Sequence, residues 1–213
     1  MITRYQAQGV EAEYEPGSRR RVLRNRLGIR LAGAMAYRES EALLSAQDSL
    51  VDRYTTDHCF TANDICDMHH VWLGEIYSWA GQYRSVNIAK GDFHFAVAGQ
   101  VPRLMAQFEL GPLASHTPCH YQNRDELAHA LAVVHAELIL IHPFREGNGR
   151  CARLLALLMG LQAGVPPLDF GPLGNRGKRN YIVAIHAAVG RDYAPMTTIW
   201  AAVIRRSLLR AGH

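Results

Sequence analysis

The 213 residues include 48% hydrophobic and 20% charged side chains and carry a formal net charge of +4, a profile of a globular chain long enough to bury a core and short enough for one domain. Cys59, Cys66, Cys119 and Cys151 form no CxxC pair and no regular spacing, which argues against a zinc ribbon or a disulfide framework. No apolar run approaches the roughly 18 residues of a membrane helix, and the opening MITRYQAQGVEAEYEPGS lacks the pattern of a secretory leader. The expectation is a reduced, cytoplasmic protein, a single domain over residues 1–213.

In chain order, RRRVLRNRLGIRLA (19–32) places Val22, Leu23, Leu27 and Leu31 at near-helical spacing, and AMAYRESEALLSAQDSL continues the pattern. FTANDICDMHHVWLGEIYSWAG offers a cap at Thr61 or Asn63 and apolar residues at helical intervals, with Gly81 as the stop. QYRSVNIAKGDFHFAVAG then changes period. Val86, Ile88, Phe93, Phe95 and Val97 alternate around Lys90-Gly91-Asp92, which predicts a β-hairpin. VPRLMAQFELGPL reads as helix again. Two further helices flank residues 142–153, and NYIVAIHAAVG and PMTTIWAAVIRRSLLRA close the chain. The predicted fold is all-α with one small hairpin.

The chemistry concentrates in HPFREGNGRCAR, residues 142–153. The helix before it has a cap at Asn123 and carries Leu127, Leu131, Val134 and Leu138 on one face. It must end near Ile141, because Pro143 disfavours helical geometry at His142. The next helix is expected to start near Arg150, putting Gly147-Asn148-Gly149 at its N-terminus, where unpartnered N–H groups and the macrodipole attract anions. Two glycines allow close backbone approach. Arg150 and Arg153, three apart, present forked donors matched to phosphate oxygens. Glu146 beside a phosphate calls for a hard cation such as Mg²⁺. His142 stands within reach of an incoming hydroxyl. Taken singly, a His before Pro, a GNG turn or two arginines at i, i+3 are ordinary structure; all within twelve residues, they define an active-site loop.

The run resembles the signature of the Fic family, HxFx(D/E)GNGRxxR, at every specified position. YRSVNIAKGDFHFA is similar to that family's flap, and LRNRLGI, MHHVWLGEIYSWAG and YIVAIHAAVGRDYAP also resemble its members, so the likeness covers most of the chain. The resemblance implies an all-α, Fic-type helical domain with a hairpin flap at about 84–98, transferring AMP from ATP to a protein hydroxyl. On that likeness His142 is the general base and Glu146 holds Mg²⁺. Asn148 and the backbone of Gly147 and Gly149 bind the α-phosphate, and Arg150 and Arg153 take the phosphates. Arg145 joins the candidate nucleotide-binding residues, as do Lys90 and Gly91 at the flap turn. Phe93, His94 and Phe95 hold the target as an added strand, or the two phenylalanines pack inward. Tyr181 matches an adenosine-pocket Tyr, while Val189 stands where some members carry Asn. Gly149, where the related Doc-type kinases have Lys, favours AMP transfer over phosphorylation.

No Ser or Thr has Glu four positions later, so the inhibitory helix of many Fic proteins is missing from the sequence. The likeness is to Fic toxins silenced by a separate small antitoxin, with the arginines of 19–30 as a docking helix or merely a solvated face. A target bearing a Tyr, Thr or Ser hydroxyl is implied, a type II topoisomerase subunit among the candidates. Alternatives are transfer of another nucleotide or phosphate-linked group, removal of AMP, or a basic nucleic-acid-binding protein with a vestigial site. Against the last, the sequence has no recognition helix or aromatic–basic array and its net charge is modest.

Overall fold

The computed structural model describes residues 10–173 and 177–212. The elements run α1 (Ala32–Arg53), α2 (Ala62–Leu73), β1 (Ala89–Lys90), β2 (Phe93–His94), α3 (Val101–Phe108), α4 (Ala114–His116), α5 (Arg124–Ile141), α6 (Asn148–Gln162), α7 (Lys178–Val189) and α8 (Ala194–Ala211). The predicted helical fold with one hairpin is therefore present. Two compact units divide the chain. The first comprises the described residues up to Arg53, Ala62–Ala106 and Ile141–Cys151; the second comprises Tyr54–Thr61, Gln107–Leu140 and the described residues from Ala152 onward.

In the first unit α1 packs on α2. Met35, Ala46 and Leu50 of α1 are buried, as are Ile65, Met68, Trp72 and Leu73 of α2. Glu39, at 7% exposure, lies on the same buried face of α1. The predicted helix over 19–32 is not formed, and α1 starts only at Ala32. Instead Glu15 N–H bonds the Val22 carbonyl and Arg24 N–H bonds that of Glu13, each at 2.9 Å, around a bridge between Tyr14 and Leu23. The Asn25 side chain accepts from the N–H groups of Leu27 and Ile29 and donates to the carbonyls of Leu23 and Ile29. Such local side-chain bonds compete with helix formation. Arg19, Arg20, Arg21, Arg24, Arg26 and Arg30 are consequently exposed on a loop, and the arginine-rich docking helix does not exist as such.

α2 also stops earlier than Gly81. Ile76 and Tyr77 direct their N–H groups to the Leu73 carbonyl, and a Cβ on Gly74 would fall 2.7 Å from the His70 carbonyl oxygen. The chain turns there and buries Ile76 and Tyr77. The hairpin pairs Ala89 with His94 and Lys90 with Phe93, and Gly91 at φ 61° permits the two-residue turn. Val86 and Ile88 are buried as the alternation predicts, whereas Val97 is exposed.

In the second unit Asn123 caps α5, its Oδ1 accepting from Asp125 N–H at 2.8 Å and Glu126 N–H at 3.3 Å. From Leu127 to Ile139, α5 is buried on nearly every side, beyond the single predicted face. α7 packs on α8, whose Met196, Trp200, Val203 and Ile204 are buried.

Candidate active site

Helix α5 ends at Ile141 and α6 begins at Asn148, so residues 142–147 connect them, with the second helix starting two residues before the predicted Arg150. The ring of Phe144 is fully buried and stacks on His69 with centroids 3.9 Å apart. Asn148 closes the loop. Its Oδ1 accepts from Phe144 N–H at 2.8 Å and its Nδ2 donates to the Phe144 carbonyl at 2.7 Å. The carboxamide, 3% exposed, is thus engaged at both ends, which fixes the shape of the loop. Gly147 sits at φ 82°, and a Cβ there would meet Trp72 Cζ3 at 2.6 Å. Only glycine lets the backbone lie so close to the indole. The Gly147 carbonyl accepts from the N–H groups of Arg150 and Cys151 at 2.9 Å, launching the helix.

His142 has φ 53°, and its ring stacks on Phe95 at 3.7 Å between centroids and 16° between planes. Phe93 meets Phe95 edge-on at 5.2 Å. Of the two readings of the flap aromatics, Phe95 packs inward, against the imidazole itself. Lys90, Gly91 and His94 are exposed at the hairpin end.

Arg84 was not legible as a site residue, yet it holds this geometry. Its Nε donates to the His142 carbonyl at 2.6 Å, Nη1 to Val86 at 2.6 Å, and Nη2 to Ala96 at 2.5 Å and Ile141 at 3.2 Å. Its own N–H bonds the Pro143 carbonyl at 2.8 Å. One guanidinium, 2% exposed, therefore ties both arms of the flap to the signature loop. A faint signal existed: Arg84 has the same alternation parity as buried Val86 and Ile88. Arg145 is likewise buried, and its Nε donates to the Glu11 carbonyl at 2.7 Å. Burial places this guanidinium inside the unit, where it ties the loop to the chain at Glu11.

His69 braces the loop from below. Its Nδ1 accepts from Gly81 N–H at 2.9 Å, which leaves Nε2–H to donate to the Glu146 carbonyl at 3.1 Å. Glu146 keeps a partly exposed carboxylate; Oε1 accepts from Gly147 N–H at 3.1 Å and lies 3.8 Å from Arg150 Nη2. Arg150 sits with Cζ 4.6 Å over the Trp72 ring and donates from Nη1 to Glu39 Oε2 at 2.7 Å.

Arg153, one turn further along α6, falls in the second unit with Tyr181 and His135. The Tyr181 hydroxyl and His135 Nε2 share a 2.9 Å hydrogen bond. Burial, reinforced by the charge of Arg153, pushes the His135 pKa down to about 3. Its unfolded value lies near 6.5. Above that pH both states are neutral and the full stability is present; below it the unfolded chain takes up the proton first. Stability is therefore expected to fall as pH drops from about 6.5 toward about 3. Urea midpoints measured from pH 7 to pH 4 should decline, and His135→Gln should flatten part of that decline.

These elements have counterparts in known proteins. The Fic/DOC family profile matches residues 59–159. The chain is 33% identical over 150 residues to the probable protein adenylyltransferase Fic of Salmonella typhimurium, covering 67% of this chain and 70% of that one. It is 30% identical over 150 residues to the protein adenylyltransferase VbhT of Bartonella schoenbuchensis, of whose length it spans 30%. The structure of the effector BepC of Bartonella tribocorum, crystallised with AMPPNP, shares the fold at TM-score 0.70 and 21% identity, over 91% of this chain and 96% of that one. The chain belongs to the Fic/DOC family.

Proposed function

We propose that the protein transfers AMP from ATP to a hydroxyl side chain of a target protein and releases pyrophosphate. The observation that carries this reading is the placement of His142, oriented by Phe95 and held through its carbonyl by Arg84, at the mouth of an intact signature loop. The names of the relatives support the same chemistry, and Gly149 supports AMP over γ-phosphoryl transfer.

In this mechanism His142 accepts the proton of the target hydroxyl as its oxygen attacks the α-phosphorus. Arg150 and Arg153 hold the phosphates, and the first-turn N–H groups of α6 face the negative charge. The work is positioning and charge neutralisation. Glu146, its side chain 44% exposed, fits a magnesium site of the kind formed by one carboxylate and substrate phosphates. A magnesium ion bound by Glu146 would supply neutralisation of the phosphate charge. Tyr181 is proposed for the adenosine pocket, and Lys90 and Gly91 for the nucleotide; an extended target segment would pair along the flap near Phe93, His94 and Phe95. The proposal extends to a cytoplasmic setting, to a small antitoxin whose helix pairs with Arg153, and to a topoisomerase subunit as a target. No helix of the described residues is long and apolar enough to cross a membrane.

The test supplies purified protein, Mg²⁺ and a bacterial lysate with ATP labelled at the α- or the γ-phosphate. Protein bands labelled from the α-position alone are expected. Label from the γ-position alone would make the protein a kinase and overturn the reading.

A further inference from the structure

Two carboxylates compete for the Arg150 guanidinium. Glu39 Oε2 takes Nη1 at 2.7 Å, whereas Glu146 Oε1 stays 3.8 Å from Nη2. The nearer partner is built to win. Glu39 is buried on α1, its Oε1 accepts from the Tyr77 hydroxyl at 2.7 Å, and its backbone carbonyl accepts from Trp72 Nε1–H at 2.8 Å. The Trp72 ring also lies beneath Arg150, so the indole fixes both the acid and the guanidinium. Burial, then the adjacent Glu39 carboxylate, raises the Tyr77 phenol above its ordinary range, which keeps it a donor. Glu146 has no comparable support: its side chain is 44% exposed and accepts from its own neighbour, Gly147.

We propose that Glu39 is a positioning residue that draws Arg150 away from Glu146, so that the Glu146 carboxylate faces a divalent cation and Arg150 faces phosphate. Without the Glu39 charge, Arg150 closes the remaining gap to Glu146, and each neutralises the group the other needs. The inference rests on the nucleotide-binding part of the reading above and is independent of whether AMP is the group transferred. It assigns Tyr77 a supporting part, because the phenol anchors the carboxylate oxygen that Arg150 does not use.

The test measures binding of AMPPNP by calorimetry to the full chain, once with Mg²⁺ and once with EDTA. In wild type, Mg²⁺ is expected to tighten binding. In Glu39→Gln that gain should shrink about tenfold, the scale of lost outer-shell support at metal sites, while metal-free binding falls by less, through the share Arg150 contributes to the phosphates. In a Glu146→Gln background, Glu39→Gln should have no further effect on the magnesium gain, because the effect runs through Glu146. A folded Glu39→Gln with the wild-type gain overturns the proposal, as does an equal loss with and without Mg²⁺, which marks a merely structural role. If Glu39→Gln fails to fold, Tyr77→Phe removes one hydrogen bond from Glu39 and takes the same test. It should lose part of the gain, and a wild-type gain there overturns the proposal too. Magnesium-dependent AMPPNP binding without α-label transfer would sink AMP transfer and leave this inference standing; no magnesium gain in wild type would sink the inference itself.

Discussion

His142→Ala is expected to lower the rate of label transfer from α-labelled ATP by about 10²–10⁴-fold, the range a general base contributes, while leaving the fold and nucleotide binding intact. The separation follows from how the residue is held. Its main chain anchors the loop, through the Arg84 bond to the carbonyl at 2.6 Å. The ring stacks on Phe95, a contact whose loss costs about 0.5–1.5 kcal/mol beyond area burial. Circular dichroism and a urea melt should therefore show only a modest shift. An unfolded variant would show that the imidazole is structural, and a variant that transfers AMP at the wild-type rate would remove His142 from the mechanism.

Arg84→Met should have the largest effect on stability, roughly 3–5 kcal/mol by urea denaturation, since it removes the donors for several interior carbonyls. Methionine fills much of the volume but leaves the carbonyls of His142, Val86, Ala96 and Ile141 without their guanidinium. Arg84→Lys should recover only part of the loss, because a point-like ammonium cannot span the fork. Transfer in Arg84→Lys should fall further than its stability does, because the carbonyl that fixes His142 is among those released. Equal stability of Arg84→Met and wild type would show that water can replace the guanidinium.

What the sequence disclosed and what it concealed divide along physical lines. The stop of α5 before Pro143, the Asn123 cap and the Gly91 turn are dictated by local chemistry, and each is found where the chain spells it. The failures arose where local side-chain bonds overrode periodicity. Leu27 and Leu31 have helical spacing, yet both are exposed on a loop organised by Asn25. The signature residues were legible as a group, but not their division of labour. Residue type alone does not separate Arg150, over Trp72, from Arg145, turned to Glu11; only the signature does, with Arg145 at an unspecified position. Glu39 carries a readable sign of its own: an acid four residues after Met35 and seven before Ala46, on the apolar side of its helix.

The Asn148 clasp has a further bearing on motion. Because the residue that opens α6 also grips both polar groups of the Phe144 main chain, the loop cannot swing out as a separate lid. Exposing Phe144 requires fraying the first turn of α6, so loop opening and helix unravelling become one cooperative event with one free energy. Whatever mobility substrate entry demands then falls to the hairpin side, where β1 and β2 pair over only two residues each.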